Sequence, residues 1–227
     1  MSQQLLMWSV SPFMIHHLEI EGVKAFEIFW NADEDFNTQD YEKDYGIKLS
    51  ESLKINAKNI SNEAMEANER ESIEIQGGYA DLVHCLLNGD DDCTTLYGDK
   101  TLDFIVREEV MGENSWCLVN ALVGTNKVRD AEDYVASYLN PEETKNISLA
   151  LTKIGDEDFE VRCNTLFSES KERRFVCTGD AIYEQVYASK YNAGDISEVE
   201  EFIKSDLIPL YSSASEQGYG ILIAWSI

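Results

Sequence analysis

Near the end of the chain Ile221, Leu222, Ile223, Ala224 and Trp225 follow one another without a polar break. A strand with one wet face alternates apolar and polar residues, whereas a run this continuous belongs inside a sheet. Tyr219 to Ser226 is therefore expected as a closing strand with a central place, and the other elements must be arranged around it. The segment before it reads as a helix starting near Asp195 or Ser197 and running through Val199, Phe202, Ile203 and Leu207. Pro209 is expected to kink or break that helix before Leu210-Tyr211, and Gly218 to end it.

The best-specified helix opens at Asn140-Pro141-Glu142-Glu143-Thr144. Asn140 can accept hydrogen bonds from the first turn, Pro141 pre-sets the first helical φ, and Glu143 stands three residues past the cap, where it can reach back. Ile147, Ala150, Leu151 and Ile154 then form one apolar stripe, and Gly155 supplies a stop. Leu5 to Val10 reads as a short strand, followed by Ser11-Pro12 as N-cap and first-turn proline of a helix through Phe13, Met14, Ile15 and Leu18. Val23 to Trp30 sets Phe26, Ile28 and Trp30 at alternate positions and is expected as a second strand, with the acidic stretch Asp33 to Asp44 a loop after it. Ile47 to Arg70, with Leu49, Leu53, Ile60, Ala64 and Ala67, reads as helical. Tyr79 to Leu87 is an apolar helix ended by Asn88-Gly89, and Asp158 to Phe167 is a further helix. Leu102 to Val110 and Trp116 to Val123 fit either a strand or a buried helical turn.

Charge bounds the function more tightly than any motif. Forty-three acidic side chains stand against eighteen basic ones, a formal net charge of -25 at pH 7. At 44% hydrophobic and 11% aromatic residues the chain carries too much apolar material for a disordered acidic tail. Folding at this length should remove roughly 70–75% of the surface the unfolded chain exposes. Like charge repels phosphate backbones and anionic lipid, so neither direct nucleic-acid binding nor membrane binding is expected. The same field attracts cationic proteins and could imitate a polyphosphate surface. Acidity that only maintains solubility is the plainer alternative. The start of the chain lacks a basic region ahead of an apolar one, and no apolar run approaches the roughly 20 residues that span a bilayer; residence in the cytosol is the expectation. Cys85, Cys93, Cys117, Cys163 and Cys177 include no Cys-x-x-Cys pair and are expected as reduced thiols.

The order of local features resembles the YfbM-like family of small bacterial proteins, whose domain has no known function. The resemblance starts at Trp8-Ser9-Val10-Ser11-Pro12, a strand followed by Ser-Pro and a helix. It resumes at His84-Cys85-Leu86-Leu87-Asn88-Gly89, then Ala121-Leu122-Val123-Gly124, then Tyr138-Leu139-Asn140-Pro141-Glu142-Glu143. Ala181-Ile182-Tyr183 and Leu210-Tyr211-Ser212-Ser213-Ala214-Ser215-Glu216-Gln217-Gly218 resemble the family's ending. Tyr79 stands where the family has tryptophan, Glu184 stands where it has proline, and residues from about 21 to 75 form an insertion without a counterpart. Coverage is roughly residues 1–20 and 79–227. The resemblance implies a single α/β or α+β domain and nothing catalytic. The fold expected is α+β: residues 1–227 as one acidic globular domain, with a mixed or antiparallel sheet packed by several helices and the C-terminal strand central.

No catalytic set assembles from the motifs. His16, His17 and His84 are the histidines, no Gly-x-Ser-x-Gly elbow is present, and adjacent residues of a helix point in different directions, so His84-Cys85 is not a dyad. His84, on an otherwise apolar helix, is a boundary or core histidine, with a pocket residue as the sharper alternative. His16-His17-Leu18-Glu19 lacks the spacing that sets two imidazoles on one helical face. Asp33 to Asp44 spaces oxygens as a calcium loop would, but Thr38 replaces the glycine that its turn requires. Phosphate-cradling glycine patterns are absent, and the basic doublet Arg173-Arg174 follows Glu172. Carboxylate pairs for glycoside hydrolysis are too easily found among so many acids to be identified.

No catalytic, cofactor-binding or metal-ligating residue is therefore expected. Partner binding is assigned to Asp33, Glu34 and Asp35, to Asp90, Asp91 and Asp92, and to Asp156, Glu157 and Asp158. The leading expectation is a non-enzymatic acidic interaction protein that docks a basic partner, such as an immunity protein that neutralises a toxin. The alternatives are a hydrolase or transferase with a carboxylate-lined cleft, and a DNA mimic whose carboxylates repeat at phosphate-like separations. Oligomeric state is not legible.

Overall fold

The structure, a computed structural model, describes residues 4–32, 36–46, 48–70, 72–76, 83, 87, 121–122, 124–129, 135–154, 172–176, 183–187 and 193–226. The first strand, β1 (Gln4–Val10), leads into α1 (Pro12–Glu21). Three helices follow, α2 (Val23–Trp30), α3 (Thr38–Tyr45) and α4 (Glu51–Arg70), and then strand β2 (Ser72–Gln76). Strands β3 (Asn126–Lys127) and β4 (Val135–Leu139) precede α5 (Pro141–Ile154). The rest comprises β5 (Glu172–Val176), β6 (Tyr183–Tyr187), α6 (Ala193–Phe202), a π-helical turn (Ile203–Leu207), α7 (Ile208–Gln217) and β7 (Gly220–Ser226). The fold is α+β. A five-stranded antiparallel sheet runs in the order β2-β1-β7-β4-β3, and β5 and β6 form a separate antiparallel pair.

The closing strand is central, as its unbroken apolar run demands. It pairs with β1 from Gln4↔Ser226 to Val10↔Gly220 and with β4 from Val135↔Trp225 to Leu139↔Ile221. Side chains alternate across a strand, so the sheet has two faces to cover. On one face Trp8, Val10, Ala136, Tyr138, Leu222 and Ala224 join an apolar cluster with Met14 and Leu18 of α1, Phe26 and Ile28 of α2, and Leu53, Ile60 and Ala64 of α4. On the other face Leu5, Met7, Leu139, Ile221 and Ile223 are fully buried, and α5 and α7 pack against β7 there. Helices α2 and α4, and Tyr41 of α3, come from the stretch of about 21–75, so that stretch is an integral layer of the core.

Three expectations need correction. Val23–Trp30 is a helix and not a strand. Its buried residues are Ala25, Phe26, Ile28 and Phe29, the i, i+1, i+3, i+4 pattern of one helical face, and the alternation of Phe26, Ile28 and Trp30 overlooked Phe29 between them. The second half of the acidic stretch is helical as well. Asn37 caps α3 by accepting from the backbone N–H of Gln39 at 2.8 Å and of Asp40 at 3.4 Å, and Tyr41 packs in the core and donates to Glu27 at 2.8 Å. A buried aromatic anchor and a good cap outweigh the charge of Asp40, Glu42 and Asp44. Nor does Pro209 break the helix. The N–H of Ile208 reaches back five residues to the carbonyl of Ile203, and Pro209 then occupies the first turn of α7. The widened turn takes up the misfit that a ring without an N–H imposes on a regular α-helix.

Other expectations hold. The helix expected at Ile47 to Arg70 is present from Glu51, and Leu49, ahead of it, and Leu53, Ile60, Ala64 and Ala67, on it, are all buried. Gly218 ends α7 in the left-handed region at φ 68°, and its N–H is bonded to the carbonyls of Ala214 and Ser215. Gly22, at φ +59°, makes the tight turn between α1 and α2; a Cβ there would lie 2.6 Å from the carbonyl oxygen of Arg129. Of the helix expected at Tyr79 to Leu87, Val83 and Leu87 are described, and both are helical and buried. Ala121 and Leu122, in the ambiguous run Trp116 to Val123, are helical and buried too. The remaining residues of these two stretches, Leu102 to Val110, and the helix expected at Asp158 to Phe167 lie outside the described residues.

Candidate functional site

The densest polar cluster among the described residues lies where β1 ends and α1 begins. Ser11 holds the N-cap position of α1 with an extended backbone, but its hydroxyl does not cap the helix. The hydroxyl donates to Glu63 Oε2 at 2.9 Å, and the Ser11 backbone N–H donates to Glu63 Oε1 at 2.8 Å. Glu63 comes from the middle of α4 and is only 9% exposed. Seven residues on along the same helix, Arg70 donates through Nη2 to Glu63 Oε1 at 3.0 Å. Its Nη1 donates to the hydroxyl of Tyr219 at 3.2 Å, while its guanidinium carbon lies 4.9 Å from the centre of the Tyr219 ring. Trp8 completes the group by donating its indole N–H to Asn68 Oδ1 at 2.8 Å.

This arrangement clamps α4 to the sheet. A carboxylate has about four lone-pair sites, and three donors already occupy those of Glu63. The Ser11 hydroxyl directs its proton to Glu63 Oε2, and the other carboxylate oxygen accepts from the Ser11 backbone N–H and from Arg70. The cluster ties α4 to the start of α1 and to the start of β7, two points brought together by the β1–β7 pairing. The sequence carries a signal for it that was missed. Ile60, Glu63, Ala64 and Ala67 occupy i, i+3, i+4 and i+7, so the apolar stripe of α4 contains one acid, and Arg70 continues the same face.

Other titratable side chains are set by the packing around them. His17 is buried on α1, its ring edge-on to Phe13 at 4.6 Å, and its Nδ1 has no hydrogen-bond partner among the described residues. Burial, helped by the neighbouring His16, holds it below the ordinary imidazole value of 6.5, with Glu21 opposing. Tyr138 is pushed up to about 12 by burial and then by the nearby carboxylates of Glu19 and Glu143, with Arg129 opposing. Tyr211 is buried completely and donates to the carbonyl of Ala121 at 2.6 Å; burial holds its phenol well above the usual range. Arg129 donates to the carbonyls of Glu19 and Ile20, closing the last turn of α1. At the start of α5, Asn140 Oδ1 accepts from Glu143 N at 3.0 Å, Glu143 Oε2 accepts from Asn140 N at 3.0 Å, and Asn126 donates to the same oxygen at 2.9 Å. The capping box read from the sequence is present, with a third member from β3.

The acids singled out for partner binding, Asp33, Glu34, Asp35, Asp90, Asp91, Asp92, Asp156, Glu157 and Asp158, lie outside the described residues, as does His84. Described acids do reach the surface: Asp40 and Asp44 on α3, Glu51, Glu66 and Glu69 on α4, Glu198 and Glu201 on α6, and Asp206 in the π turn are exposed. Among the described residues no three His, Cys, Asp or Glu side chains are grouped as a metal site would require, and no helix is long and apolar enough to cross a membrane.

No family model and no curated protein matches the sequence. A search of solved structures returns the crystal structure of YfbM from Escherichia coli, a protein of unknown function. The two chains are 11% identical, the alignment covers 100% of each, and the TM-score is 0.44. That similarity carries no activity, ligand or partner across to this chain.

Proposed function

We propose that this protein is a non-enzymatic, acidic interaction module that docks a cationic protein, in the manner of an immunity protein or inhibitor directed at a basic toxin. The observation that carries the reading is the net charge of -25. The exposed acids on α3, α4 and α6 support it, because they place part of that charge on outer faces of the molecule. Ion pairs within the chain cannot reduce it, because the eighteen basic side chains are already counted in that figure; among the described residues Lys54 pairs with Glu42 and Glu51, Arg70 with Glu63 and Glu66, and Lys204 with Glu200. The resulting field steers a basic partner towards the surface and raises the encounter rate, while buried aromatic or apolar anchors at the contact supply most of the affinity.

The test starts with tagged protein as bait in a lysate of its native host at low salt, eluted with a salt gradient. A basic protein released as salt rises is then purified, and its association with the bait is measured by stopped flow. The expected association rate falls by roughly tenfold or more between low and high ionic strength. If the partner is an enzyme, stoichiometric addition of this protein should abolish its activity. A rate indifferent to salt, or a bait that returns no basic protein, would overturn the reading.

A further inference from the structure

We draw no further inference here: the strongest candidate, the outer edge of strand β2 at the end of the sheet, with Ser72 and Glu74 exposed on it, carries nothing because nothing among the described residues shows what covers that edge.

Discussion

Glu63 and Arg70 show how a single charged pair can hold two layers together. Removing one member of a buried pair leaves the other charged and unmatched, which costs more than the pair itself contributes. Glu63→Ala is therefore expected to lower the unfolding free energy by about 3 kcal/mol in urea denaturation, because it strands Arg70 and both Ser11 donors. Arg70→Ala should cost less, since a quarter of that side chain is open to water. A double-mutant cycle should return a coupling of about 1 kcal/mol, and a coupling near zero would show that the two residues act separately. His17 makes a prediction of opposite character. Its folded-state value lies below 6.5, so the unfolded chain binds a proton more readily and the native state loses stability as pH falls from about 6.5 through the folded value. His17→Phe removes that proton. The difference in melting temperature between pH 7 and pH 5 should be smaller for the variant than for the parent, and equal differences would mean that His17 does not titrate in this window.

At the scale of elements, what the sequence made legible followed the strength of local chemistry. Asn140, Pro141 and Glu143 define their helix start with three residues, and the structure reproduces the reciprocal hydrogen bonds. Asn140→Ala should cost about 1 kcal/mol, measured by urea denaturation, and the loss should not be recovered in a variant that also lacks Asn126. Where an element depends on its neighbours, the local pattern misled. In α2, three apolar residues at alternate positions imitate a strand until Phe29 is counted among the buried set. In α3 the acids at 40, 42 and 44 hide Tyr41, which docks in the core. The clamp was legible only in part: Glu63 on the apolar stripe of α4 marks one end of it, but its members span positions 8 to 219, and only the fold brings them together. α4 contributes most by packing, since Ile60 is completely buried in the layer against the sheet. Ile60→Ala should therefore destabilise by about 2–5 kcal/mol. A loss below 1 kcal/mol in the same denaturation assay would show that this layer adds little to the core.

For the whole molecule, charge and topology pull in different directions. A net charge of -25 repels itself within a compact volume, and added salt screens that repulsion. Raising sodium chloride from about 10 to about 200 mM, which shortens the screening length from roughly 30 Å to below 10 Å, should raise the melting temperature. A falling temperature would mean that attractive pairs outweigh the repulsion. The central position of the closing strand was legible because burial leaves a mark on composition, while the partners of that strand were not, because pairing register leaves none. Its pairing with β1 also governs when the molecule can form. Gln4 meets Ser226, so the two middle strands of the sheet are made roughly two hundred residues apart. Until the ribosome has released the last of them, β1 has no β7 beside it, and both α1 and α4 pack on a sheet that lacks its middle. Assembly is therefore a long-range event, slow in the way that distant strand pairings are slow. A nascent chain stalled before Gly220 would leave the β7-facing backbone N–H and C=O groups of β1 without their partner strand.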